Sequence, residues 1–395
     1  MMADYIAPYD ALKTFNGLIH RQPLFINNRL DVDSYHLTFL DKNGQKLDDD
    51  VEVPSFLTQL TAILPAISNH QKALLTMPES WRAALYNIDI AGIDVTLDIY
   101  GKPLPESRNR PFAFAGHANG VDHDVHTELL LIDLNRFDPA SLTENLPHWR
   151  RRHDQLCATN VNALDQFSFC KSFAVDLLQG NFYTLPATRD THKMPPSAQT
   201  LMELLVKMQD PEVEADELAL IINQDVTLSY KLLRLVNSAF FGLPRQVGST
   251  REAVVLLGHN KIKTWASLLC LSGLDHKPNE LRNVAMIRAR MCELLAKFYK
   301  GHGEVFFAAG MFSTLDALLD KPLANLLENL PLSDELRNAL LDKEGAAGQA
   351  LQDVLRYERG DWQAIENSPL PVEVLVRAYL DAIYWAKELN QQIND

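Results

Sequence analysis

Cysteine is scarce in this chain. There are four in 395 residues, Cys157, Cys170, Cys270 and Cys292, and none sits in a CxxC spacing. That excludes a disulfide framework and a zinc knuckle, and fits a reducing compartment. Positive charge is short as well. The net charge is −14, which opposes non-specific nucleic-acid binding, because such binding needs cations to displace phosphate counterions. No run approaches the roughly 20 apolar residues of a membrane helix. The opening MMADYIAPYDALK has no basic stretch ahead of an apolar one. The sequence therefore predicts a cytoplasmic protein with no membrane contact. Familiar nucleophile and nucleotide signatures are missing too, with no GxSxG elbow and no GxxxxGK[ST] loop.

What is present is a large apolar fraction, 47% of 395 residues. That is more than one ordinary core holds, so two domains are expected. In the first half LFINNRL and SYHLTFL read as paired strands. ALLTMP, IDVTLDIYG, FAFAG and ELLLIDL are short apolar strands bounded by turn residues, and 56–67 and 141–157 read as helices. Strands alternating with helices predict parallel βα units closing into a barrel or a doubly wound sheet. Near residue 186 the pattern changes. LPATRDTHKMPPSAQT has three prolines and many polar residues, so we place the first domain at 1–186, a linker at 187–197 and the second domain at 198–395. Beyond the linker the sequence is helical almost throughout, from SAQTLMELLVKMQ, with Leu201, Leu204, Leu205 and Met208 on one face, to the final VEVLVRAYLDAIYWAKEL.

Few polar clusters suggest chemistry. GHANGVDHDVH gathers His117, Asp122, His123, Asp124 and His126. Its spacing matches no standard metal motif and its glycines mark a solvated loop, so no metal is expected there. HWRRRH places Arg150, Arg151 and Arg152 beside Trp149. They could contact phosphate or RNA, or simply form the exposed end of a helix. Asp98 and Asp133 each close an apolar strand, where barrel enzymes carry active-site groups, although turns also favour Asp.

The run from Ile221 to Trp265, with LLRLVNSAFFG followed by VVLLG, resembles the HDOD family, the HD-related output domain. The resemblance covers about 190–390 and implies an all-helical domain used for binding. HD phosphohydrolases, to which that fold is related, need a histidine on one helix and a His-Asp pair on another. Here NVAMIRARMCELLAKFY has no histidine, and Met311, Phe312, Ser313 and Thr314 stand where the pair is expected. Binding is expected near the NSAFFG turn, at Asn237, Phe240 and Phe241. The alternative is that both phenylalanines seal the core.

The first half resembles EAL domains, barrels that hydrolyse cyclic di-GMP with two metal ions held by acidic side chains. RQPLFINNRLDVDSYHLTFL resembles their opening hairpin, but His36 stands in place of the signature Glu and Leu40 in place of the substrate arginine. Thr76 replaces the metal-binding Asn, Ala115 and Gly116 the paired aspartates, Leu131 the lysine, and Thr159 and Asn162 two glutamates, while Asp98, Asp133 and Gln179 are kept. Two-metal hydrolysis needs several converging oxygen ligands. The resemblance therefore implies a degenerate EAL-like α/β barrel of the TIM type joined to a helical HDOD domain, with no cofactor and no catalytic residue. It also implies a non-catalytic signalling protein that contacts other signalling proteins in a cyclic di-GMP-related circuit controlling motility or biofilm. Cyclic di-GMP in the usual pose and nucleic acid are not expected as ligands, and a homodimer is compatible with the sequence. The alternatives are a weakly active cyclic di-GMP phosphodiesterase using Asp98, Asp133 and His36 or His117, and a nucleotide or nucleic-acid receptor using Arg150, Arg151 and Arg152.

Overall fold

The computed structural model describes residues 8–88, 94–98, 112–118, 126–173, 175–186, 203, 213–224, 226–238, 241–258, 261, 262, 265, 266, 269, 277–328, 330 and 332–394. The chain divides into two compact units: Met1–Phe182 with Arg356–Arg377, and Tyr183–Leu355 with Ala378–Asp395. Among the described residues no helix is long and apolar enough to cross a membrane.

The first unit is a closed barrel of eight strands: β1 (Leu18–Ile26), β2 (Val32–Leu40), β3 (Lys72–Thr76), β4 (Val95–Asp98), β5 (Ala113–His117), β6 (Leu129–Asp133), β7 (Gln155–Thr159) and β8 (Leu177–Gln179). β1 runs antiparallel to both neighbours, β2 and β8. All other pairings are parallel. Closure without a free edge follows from short apolar strands such as LLLID, in which four of five residues are buried. Leu24, Leu74, Ala115, Leu129, Leu131, Cys157 and Leu177 fill the interior, so the barrel is a packed core.

Helices α1 (Leu60–Ile67), α2 (Glu79–Leu85), α3 (Pro139–Arg152) and α4 (Leu164–Ser172) belong to this unit. In α1 the buried residues are Leu60, Ile63, Leu64 and Ile67, the spacing of one helix face. α3 starts where Asp138 accepts a hydrogen bond from Ser141 N at 2.8 Å, with Pro139 in the first turn. It ends at Arg152, not at Cys157 as the sequence suggested. Leu156, Cys157 and Ala158 are three consecutive buried residues, which marks a strand covered on both faces. A short apolar run cannot be told from a helix by periodicity alone.

The second unit is helical among its described residues: α5 (Ala215–Asn223), α6 (Val226–Val236), α7 (Thr250–Leu257), α8 (Asn279–Leu295), α9 (Gly303–Phe312), α10 (Leu315–Leu319), α11 (Leu323–Glu328) and α12 (Asp334–Leu341). Serine caps fix two starts, Ser249 before α7 and Ser333 before α12. Three further helices follow: α13 (Gly345–Arg359), α14 (Trp362–Ile365) and α15 (Val372–Asn394). The segment Arg356–Arg377, expected in the second domain, groups with the barrel unit. The expected linker 187–197 and the helix around Leu204 lie outside the described residues.

Candidate active site at the barrel mouth

In a parallel barrel the C-terminal strand ends carry the site-forming side chains. Here those ends hold a cavity of about 330 Å³, lined by His36, His117, Asp133, Thr159, Asn160, Gln179, Ala118 and Leu131 together with the cations Lys46 and Arg136.

Register brings the polar side chains together. Gln22 pairs with His36 across β1 and β2, Thr38 with Thr76 across β2 and β3, and Thr76 with Asp98 across β3 and β4. A hydrogen-bonded chain results. Gln179 Nε2 lies 3.0 Å from Gln22 Oε1 and 2.9 Å from His36 Nδ1. His36 Nε2 lies 2.5 Å from Thr76 Oγ1, and Thr76 Oγ1 donates to Asp98 Oδ2 at 2.7 Å. Asp98 Oδ1 meets His117 Nε2 at 2.7 Å.

The donors and acceptors fix the proton positions. An amide nitrogen can only donate, so Gln179 gives its hydrogens to Gln22 and to His36 Nδ1. The neutral His36 ring then carries its proton on Nε2 and donates to Thr76, whose own hydroxyl donates to Asp98.

Electrostatics agree with that order. Burial lowers the His36 pKa from the ordinary 6.5 to about 4. The Asp98 charge opposes this, while His20 and His117 add to it. Burial alone would raise Asp98, which is 2% exposed. The hydrogen bond and charge of His117, the charge of His36 and the Thr76 hydroxyl outweigh it and hold the carboxyl below its usual range. At the rim, partial burial holds Lys46 below the usual ammonium range against the attraction of Asp98, and Arg136 lowers it further. Arg136 Nε lies 3.4 Å from Asp133 Oδ2, and Asn160 Nδ2 donates to Asp133 Oδ1 at 2.7 Å.

Of the residues singled out from the sequence, His36, Thr76, Asp98, His117, Leu131, Asp133, Thr159 and Gln179 meet at this mouth. Ala115 is buried in the barrel interior and Leu40 closes β2. Gly116 faces Thr127, and Asn162 accepts from Asn181 N one turn beyond β7. Arg150 ion-pairs with Asp176 at 2.7 Å, and Asp176 also accepts from Leu156 N. That pair ties α3 to the starts of β7 and β8, at the end of the barrel opposite the mouth, and Arg151 and Arg152 share that helix turn. In the second unit Asn237 makes two bonds with Val247, donating to its carbonyl at 2.9 Å and accepting from its N–H at 2.7 Å. Phe241 packs edge-on against Trp265 at 5.4 Å. Phe240, Asp122, His123 and Asp124 lie outside the described residues.

Sequence reasoning missed Lys46, Arg136, Asn160 and Gln22. Asn160 carried a usable signal, since it adopts φ 60° just after an apolar strand and Asn tolerates that conformation. Lysine and arginine in turns carry none.

Two divalent ions of the EAL kind would need several carboxylates around one point. Among the described residues no three His, Cys, Asp or Glu side chains gather to hold an ion. Both oxygens of Asp98 are already engaged by Thr76 and His117. The described donor set therefore does not fit a two-ion centre.

Residues 194–326 match the HDOD domain family. The chain is 34% identical over 243 residues to the cyclic di-GMP phosphodiesterase CdgJ of Vibrio cholerae serotype O1. That match covers 60% of this chain and 56% of the relative, so the chain spans little more than half the length of that protein. Over 94% of this chain and 98% of the relative it is 26% identical to the uncharacterized protein YuxH of Bacillus subtilis. Among solved structures, a cyclic di-GMP-bound standalone EAL protein from Vibrio cholerae O395 shares 15% identity over 42% of this chain and 90% of its own, with a TM-score of 0.31.

The similarity to a protein named as a phosphodiesterase overturns the expectation of a non-catalytic, degenerate barrel. That expectation counted the family's usual positions, the metal ligands together with the arginine and the lysine. The alternative reading, a phosphodiesterase using Asp98, Asp133 and His36 or His117, named the imidazoles and carboxylates found at these strand ends. The chain thus has an eight-stranded barrel, opened by an antiparallel hairpin, ahead of the segment that matches the HDOD domain family.

Proposed function

We propose that the barrel mouth binds cyclic di-GMP and hydrolyses one of its phosphodiester bonds, and that the chain acts in a circuit that uses this nucleotide. The observation that carries the reading is the convergence of His117, backed by Asp98 at 2.7 Å, with Lys46 and Arg136 on one cavity. Hydrolysis needs a proton taken from the attacking water and one given to the leaving ribose oxygen. It also needs positive charge beside the phosphorus as negative charge develops. His117 is the side chain placed to move the proton, with Asp98 fixing its ring. Lys46 and Arg136 supply the charge, in the absence of an arginine at Leu40 and a lysine at Leu131. His36, held neutral between Gln179 and Thr76, orients Asp98 through the threonine hydroxyl. The similarity to a named cyclic di-GMP phosphodiesterase supports the substrate.

For the helical unit we propose contact with a signalling protein. The exposed Leu220, Val226, Tyr230 and Val255, on the mutually packed α5, α6 and α7, support that role.

The test is incubation of the full chain with cyclic di-GMP, once with Mg²⁺ or Mn²⁺ and once with EDTA in the buffer, and chromatography for the linear dinucleotide. We expect turnover, and its reduction by about 10²-fold or more in His117→Ala. Undiminished cyclic di-GMP with the wild-type chain overturns the reading.

A further inference from the structure

Lys46 reaches the cavity from a turn that a distant part of the chain holds in place. Asp41 organises that turn. Its Oδ1 accepts from Asn43 N at 2.9 Å and from Gln45 N at 2.7 Å, and its carbonyl accepts from Gly44 N at 3.1 Å. A bridge between Leu40 and Lys46 closes it. Gly44 has φ +76°, and a Cβ there would lie 2.3 Å from Trp362 Cβ and Cγ. The indole therefore sits directly on the turn backbone, at a position that glycine alone fits.

Trp362 is itself boxed in. Its ring meets His20 edge-on at 5.1 Å and Tyr357 at 5.3 Å. The neighbouring backbone is bonded to β1: His20 Nε2 donates to the Glu358 carbonyl at 3.0 Å, and the Tyr357 hydroxyl donates to the Ile19 carbonyl at 2.8 Å. Lys42, on the same turn, ion-pairs with Glu373 at the other end of the segment. Four separate contacts thus tie Arg356–Arg377 to β1 and the 41–46 turn, all within the barrel unit.

From this geometry we infer that Trp362 is a positioning residue for the barrel mouth: through Gly44 it holds the 41–46 turn so that the Lys46 ammonium faces the cavity and meets a phosphate there. The structural half of the inference stands on packing alone. Its consequence for the ligand rests on the proposed function. Trp362 touches no ligand and acts only through Lys46. Its loss should therefore remove what Lys46 supplies, anion binding and charge beside the phosphorus, and leave the His117–Asp98 pair in place.

Two measurements on the full chain separate these halves. Amide hydrogen exchange of 41–46 is compared in wild type, Trp362→Ala and Trp362→Phe. The turn should exchange at least about tenfold faster in the alanine variant, and at near wild-type rate in the phenylalanine variant, with β3 to β7 unchanged. Calorimetry and steady-state turnover with cyclic di-GMP follow. Trp362→Ala and Lys46→Ala should each raise Kd about tenfold and lower kcat/KM at least about tenfold, and the double variant should be no worse than Lys46→Ala alone. Faster turn exchange with a wild-type chain that binds no cyclic di-GMP supports the positioning role and refutes the ligand. Unchanged turn exchange in Trp362→Ala, or losses that add in the double variant, overturns the inference. If Trp362→Ala does not fold, Trp362→Leu, which leaves Gly44 without the indole, carries the same comparison.

Discussion

His36 has two ring nitrogens with opposite needs, and the barrel supplies a donor to one and an acceptor to the other. Gln179 fills the first role and Thr76 the second. Such an arrangement suits only the neutral ring, and burial keeps it neutral to about pH 4. The unfolded ring takes up its proton near 6.5, so between these values the unfolded state binds more protons. Stability contributed by His36 is therefore complete above 6.5 and is lost as pH falls toward 4, on the order of 2 kcal/mol. His20, also lowered by burial, acts in the same direction. Urea unfolding at pH 7.5 and 4.5 should show the drop, and His36→Gln should flatten much of it. Thr76→Val should cost about 1–3 kcal/mol, because it leaves Asp98 Oδ2 buried with one bond fewer. A chemical melt of that variant checks the figure. Little of this was legible beforehand. The sequence marked His36, Thr76 and Gln179 only as departures from or survivors of a family pattern, and their mutual contacts follow from strand register.

Among the elements, the turn after α6 shows how a side chain can serve structure at a position read as a binding site. Asn237 pairs with both backbone groups of Val247 as a strand partner would. Asn237→Ala should lower stability by about 1–2 kcal/mol, seen as a Tm drop of a few degrees. The sequence found this turn from its NSAFFG run but could not say whether its polar residue faced a ligand or its own backbone. The strands of the barrel were legible for the same reason the helices were: apolar residues repeat at the period of the element that buries them. β7 was hidden because only two residues separate it from α3, so its apolar run read as more of that helix.

For the whole molecule, Arg356–Arg377 changes what counts as the barrel. All eight strands lie before residue 186, yet Tyr357 and Trp362 cover Ile19, His20 and Gly44. A chain ending at residue 186 should therefore unfold about 10 °C below the same chain joined through a flexible linker to 356–377, since that packing is worth about 3–5 kcal/mol. Thermal unfolding followed by circular dichroism compares the two. The sequence by itself determined the alternation of strands and helices, the change to an all-helical half and the residue types at the strand ends. These are local, set by periodicity and turn chemistry within a few residues. Only the tertiary structure decided that a histidine, a threonine and an aspartate from three strands share one hydrogen-bonded chain, that Lys46 and Arg136 face the same cavity, and that a tryptophan more than 300 residues away holds the lysine's turn. Those relations depend on register and closure, which couple residues far apart in the chain and leave no trace in any single stretch of it.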